Sequence, residues 1–172
     1  AEGFTGTISF RFETARGVIA DICRSLIGAG FGRICVANSH LEPRHVESIQ
    51  AALALVRAET GVDVAFPDKR RRRWAATLTE EFRSGACHAG RYEGSIVMAA
   101  RPDLVREDVR AALPPVNISL SEAIRSGVET FKGAGGDLAY FGEPAAATSE
   151  EGMHIVDLLA EMLLVSIRET YG

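Results

Sequence analysis

Apolar positions along the chain first repeat at helical spacing. Over residues 13–30, Val18, Ile19, Ile22, Cys23, Leu26 and Ile27 recur at i, i+1, i+4, i+5, i+8 and i+9, which predicts one apolar face of a helix stopped by Gly28 and Gly30. The run Ile34, Cys35, Val36, Ala37 predicts a buried strand over 33–38. Residues 43–60 predict a second helix, with Val46, Ile49, Leu53 and Val56 inward and Pro43 in its first turn. "VDVAF" predicts a short strand over 62–66, ended by Pro67.

Beyond that point the pattern is more polar. Residues 68–83 predict a polar helix, 92–100 fit helix or strand equally, and Pro102 opens a helix to about Ala112. Ser119 with Glu122, and Thr148 with Glu151, have the spacing of capping boxes, in which a hydroxyl caps the fourth residue's N–H. Between them, 132–148 is glycine-rich and loop-like. The last helix, 149–170, is strongly apolar, with Ile155, Val156, Leu159, Met162, Leu163 and Ile167 assigned to the core. Helices alternating with short strands predict an α/β fold of three αβα layers, a mostly parallel sheet flanked by helices. One domain over 1–172 accommodates the length.

Composition alters this picture little. The chain is 47% hydrophobic and 24% charged, with a net charge of −4, ordinary for a soluble globular protein and without the basic excess of a nucleic-acid binder. The run Lys69–Arg73 reads as a solvated face rather than a phosphate site. Cys23 and Cys35 read as small core residues; with Cys87 they make an odd number without C-x-x-C spacing, which points to a reducing cytoplasm. No apolar run is long enough for a membrane-crossing helix.

Chemistry collects where strands end. In parallel α/β sheets, ligands sit outside the carboxyl ends of strands. His40 and Glu42 follow the strand over 33–38 and, two apart in extended backbone, project to the same side, a candidate metal pair. On spacing alone a surface loop with an incidental His and Glu is the commoner outcome. Asn38 is placed to orient this turn, and His45 reads as helix surface. A second candidate is "ACHAGRYEGS", where His88 lies among small residues and Glu93 follows five positions on, a candidate acid/base pair. Cys87 next to His88 lacks a third orienting group for nucleophilic catalysis. His154 reads as a partly buried structural residue.

Taken together, "GTISF" (6–10), "GFGRICVANSHLEP" (30–43), "HAGRYEGSIVMAARPDLV" (88–105) and "YFGEPAAATSEEG" (140–152) resemble, in order, four motifs of the creatininase (creatinine amidohydrolase) family. The resemblance implies a three-layer α/β fold. It also implies a metal-dependent hydrolase acting on a C–N amide bond of a small cyclic or linear amide, or on a lactone, with two divalent ions, zinc or manganese. By the same resemblance His40 and Glu42 are metal ligands and His88 is the catalytic acid/base, with Glu93 as the motif's glutamate. Relatives assemble as oligomers, commonly hexamers, so a homo-oligomer is implied. Three departures stand out. Gly94 replaces a threonine, Cys87 a glutamate, and Ser84 a tryptophan that covers substrate in creatininase proper. The last two argue against creatinine as substrate. The family's remaining ligands, a Glu, a His and an Asp, lie upstream of G-T-I-S, so the expectation is a chain truncated at its N-terminus, with the rest of the metal site not in this chain. The alternative is a non-catalytic subunit or small-molecule-binding module that keeps the fold without a complete metal site.

Overall fold

The computed structural model describes residues 4–86 and 88–172. The helices are α1 (Phe12–Gly28), α2 (Pro43–Thr60), α3 (Arg72–Ala75), α4 (Glu80–Ser84), α5 (Arg91–Ala100), α6 (Glu107–Ala111), α7 (Leu120–Arg125) and α8 (Ser149–Tyr171), with 3₁₀ turns at Pro102–Leu104 and Pro144–Ala146. The expected parallel sheet, and with it the three-layer αβα arrangement, is not what the described residues form. Their extended pairing is limited to three isolated bridges, Cys35 with Ala65 in parallel, and His88 with Phe141 and Val116 with Gly142 antiparallel. The predicted strands 33–38 and 62–66 do come alongside, through Val36 N to Ala65 O and Ala65 N to Ile34 O, both 2.9 Å. A ladder needs successive pairs, and each run is too short to supply them: one follows Gly30 and Gly32, and the other meets Pro67, which has no N–H to donate. The ambiguous stretch 92–100 resolves as helix.

The chain falls into two compact units. One comprises Ile8–Arg71 with Glu161–Gly172. Its centre is the α1–α2 pair, where Ala20 and Cys23 pack on Ala52 and Val56. The buried stripe of α1 is narrower than its apolar pattern, leaving Val18 and Ile22 exposed. Arg24 joins the two helices at their edge, with Nε 2.8 Å from Glu59 Oε2 and a second bond to Oε1. The α2 ends follow its sequence signals: Pro43 sits in the first turn, and Gly61 closes the helix at φ +71°, a conformation glycine adopts without cost. The Tyr171 hydroxyl accepts from Ile34 N at 2.8 Å and lies 2.7 Å from Ile34 O and 2.8 Å from Asp63 O, which pins the end of α8 onto the parallel bridge. The basic run departs from a solvated face at its start. Lys69 is buried, and Arg70 grips the buried Asp68 through Nε at 3.0 Å, as a buried carboxylate requires. Of the helix predicted over 68–83, only α3 and α4 form, with turns before and between them.

The second unit comprises Arg72–Ala160 and the N-terminal stretch up to Thr7. A cluster of Ala86, Ala134 and Phe141, joined by Val116, Leu120 and Phe131, forms one core. The hydroxyl half of each capping box is present: Glu122 N donates to Ser119 Oγ and Glu151 N to Thr148 Oγ1, while Thr148 N itself donates to Ser95 Oγ. The helix expected from Pro102 to Ala112 divides into a 3₁₀ turn and α6, because Val105 takes extended backbone. On α8, Ile155 and Met162 are buried, whereas Val156, assigned to the core by periodicity, is exposed. The start of α8 lies directly on α5. Thr148 N donates to Ser95 Oγ at 3.0 Å, and a Cβ on the buried Gly152 would overlap the Ser95 carbonyl. Backbone on backbone leaves no soft neighbour to yield, so Gly152→Ala should destabilise by about 1–3 kcal/mol despite alanine's better helix propensity. Chemical denaturation of the two proteins checks this, and a variant as stable as the parent would show that the helices separate at no cost.

Candidate functional site

In the second unit, Phe141 N donates to His88 O at 2.7 Å, and Gly142 exchanges two 2.8 Å bonds with Val116. The backbone at His88 is thereby locked against the loop that precedes α8. The next residue, Ala89, holds φ +50°, a left-handed conformation costly for a residue with a side chain. What holds it is Glu93, whose Oε2 accepts from Ala89 N at 2.7 Å. The same carboxylate oxygen lies 3.9 Å from His88 Nδ1. The His88 ring packs on Phe131 with centroids 4.6 Å apart, and Phe131 stands edge-on to Phe141 at 5.6 Å. Burial among these rings lowers the His88 pKa below the ordinary histidine value, while the Glu93 charge acts in the opposite direction. The structure thus brings His88 and Glu93 together, with the imidazole half-buried. Cys87 lies outside the described residues.

Behind this pair stands a residue that the sequence reading passed over. Glu81, on α4, receives Arg91 N at 2.9 Å and Glu143 N at 2.7 Å on Oε1, and Tyr92 N at 2.6 Å on Oε2. It satisfies the otherwise unpaired N–H groups that open α5 and ties them to Glu143, just past the Phe141 and Gly142 bridges. Gly90 and Gly142 allow this approach, since a Cβ on either would strike the Glu81 carboxylate. The cap comes from ten residues upstream, beyond the range of any capping-box pattern. His154 is exposed rather than partly buried, beside Glu150, Glu151 and Arg91 on an acidic concavity.

His40 and Glu42 belong to the other unit. Both are exposed. Asn38 braces their turn, donating through Nδ2 to His40 O at 2.7 Å, and its Oδ1 lies 3.1 Å from His45 Nε2. The His40 and His45 rings meet edge to face at 5.2 Å. Burial and the neighbouring His40 lower the His45 pKa, against an upward pull from Glu42. The Glu42 carboxylate itself is turned onto the N-terminus of α2, taking Arg44 N at 3.0 Å and His45 N at 2.6 Å. Its role here is that of a helix cap. Among the described residues, no group of three or more His, Cys, Asp or Glu side chains converges as a metal site. A hydrolytic zinc centre uses three protein ligands and keeps a position for water. The donors present do not by themselves fit a resident divalent ion.

Solved structures share this backbone path. A creatininase carrying a Trp-to-Phe substitution superposes with a TM-score of 0.71 at 22% identity, over 100% of this chain and 70% of its own. The crystal structure of creatinine amidohydrolase (creatininase) gives 0.70 at 20% identity, over 100% and 69%. A manganese form of creatininase gives 0.69 at 22% identity, over 98% and 68%. At these identities the likeness is one of fold. No curated protein matches the chain by sequence. The family model for creatininase, creatinine amidohydrolase, matches residues 1–167, through both compact units, and the chain belongs to that family. No helix among the described residues is long and apolar enough to cross a membrane.

Proposed function

We propose that this protein is a hydrolase of the creatininase type, cleaving the C–N bond of a small cyclic or linear amide or opening a lactone, with His88 as the proton-transferring residue. The observation that carries the reading is the His88–Glu93 pair, half-buried at a strained turn in a chain of this family. Water adds to the carbonyl carbon and loses a proton to neutral His88. The C–N bond then breaks, and the imidazolium returns that proton to the departing nitrogen. Glu93 contributes by favouring the imidazolium and holding the Ala89 turn. Dependence on zinc or manganese belongs to the proposal on the strength of the family and of the manganese form among its solved members. His40 and Glu42 are its ligand candidates, with further donors required, so the chemistry assigned here rests on His88. A homo-oligomer is proposed on family membership.

A second reading is a non-catalytic subunit or small-molecule-binding module. It draws support from Glu42, whose carboxylate caps α2 instead of facing His40. Elemental analysis after exhaustive dialysis separates the two readings. The hydrolase reading expects one or two tightly held divalent ions per chain, lost in His40→Ala. No metal in either protein would place the binding module first.

A further inference from the structure

Beside Glu93, within the same compact unit, opens a concavity of about 480 Å³, a size suited to a small organic molecule. Its walls are largely aliphatic: Val97 on α5, Leu104 and Val105 after the 3₁₀ turn, Val109 on α6, and Pro144. Leu104 is 63% exposed, Val97 44% and Val109 40%. Single exposed aliphatic residues are ordinary; here three of them border one hollow. The walls are fixed in place. Arg110 donates to Pro144 O at 2.6 Å and Ala145 O at 2.7 Å, and its remaining donors go to Glu107. Its charge is therefore spent on the scaffold. Arg106, which also lines the hollow, is exposed, and its guanidinium makes no hydrogen bond or ion pair among the described residues. Glu93 and Ala89 line the same hollow, so aliphatic walls, the carboxylate that neighbours His88 and an unspent cation share one concavity.

We infer that this concavity takes the aliphatic part of an acyl amide whose far end is a carboxylate bound by Arg106. The substrate class is an N-acyl amino acid or carboxylated lactam with a short alkyl chain. A guanidinium matches a carboxylate in shape as well as charge. The inference rests on the hydrolase reading for the word substrate, and on the concavity alone for the ligand class.

Three probes test it by calorimetric titration: N-hexanoylglycine, N-acetylglycine, which lacks the chain, and N-hexanoylglycinamide, which lacks the charge. N-hexanoylglycine should bind about tenfold tighter than either truncated probe, the equivalent of about 1.4 kcal/mol. Arg106→Gln should reduce its affinity to that of the glycinamide, and Val109→Asp to that of the acetyl probe. Both positions are exposed, so unchanged melting curves will accompany the titrations. Equal affinities for all three probes, insensitivity to both variants, or no binding at all would overturn the assignment. Glycine release is measured in the same samples. The expected binding pattern without released glycine would keep the ligand class and remove the hydrolase reading. Release with unchanged kinetics in both variants would keep the hydrolase and remove the pocket.

Discussion

Replacing His88 by alanine is expected to lower turnover of a cleaved amide by about 10²- to 10⁴-fold, the range for losing a positioned acid/base group, while the metal content per chain stays unchanged. The separation is expected because His88 sits against Phe131 and Glu93 and takes no part in the His40–Asn38–His45 cluster of the other unit. A parallel loss of metal and activity would end its assignment as the proton carrier. The pH profile gives an independent reading. Burial lowers the His88 pKa and Glu93 raises it. The form that starts the reaction is neutral, so kcat/KM should fall as pH drops through a value below the ordinary histidine range. Glu93→Gln keeps an acceptor for Ala89 N but removes the charge that favours the imidazolium. The acidic limb should then move to still lower pH. A limb that moves upward, or stays put, would mean Glu93 does not act on His88 electrostatically.

Local features of this protein were legible where the physics is local. The bounds of α2 follow from Pro43 at its start and from glycine at position 61, which alone accepts φ +71° cheaply. Ser119 and Thr148 cap as their spacing foretold, since a hydroxyl reaches an N–H three residues on without help from the rest of the chain. His88 and Glu93 are five apart, and the strained turn at Ala89 folds one back on the other. The sheet was misjudged for the converse reason. Whether "RICVANS" and "VDVAF" extend from one bridge to a ladder depends on partners distant in sequence, and apolar content is silent on that. Glu42 shows the same limit at the candidate site. Its pairing with His40 by spacing was a statement about which way side chains point, and the α2 N–H groups compete for the same carboxylate. The Lys69–Arg73 run looked solvated because a string of cations usually is, yet Asp68 folds back to bury its own charge under Arg70.

Glu81 is the clearest case of a residue whose importance only the fold reveals, and it carries the largest stability effect expected here. Three backbone N–H groups from two segments, Arg91, Tyr92 and Glu143, converge on its carboxylate at 2.6 to 2.9 Å. Hydrogen bonds to a charged acceptor contribute about 1.5–3 kcal/mol each when buried, but they are not additive, and solvent screens a carboxylate that is partly exposed. Glu81→Ala should therefore cost about 3 kcal/mol, which for a chain of this length lowers the melting temperature by about 6–12 °C. Alanine leaves the donors with nothing to reach, whereas Glu81→Gln retains one acceptor oxygen and should cost about half as much. The two segments held by Glu81 are the start of α5 and the residue after the Gly142 bridge, and between them they frame His88. Loosening them should lower kcat under conditions where the variant is still folded, and Glu81→Gln should recover part of that loss. An alanine variant within about 1 kcal/mol of the parent, a loss no larger than an ordinary exposed cap, would mean that solvent already satisfies these N–H groups and that the frame around His88 is held by the Phe131–Phe141 core instead.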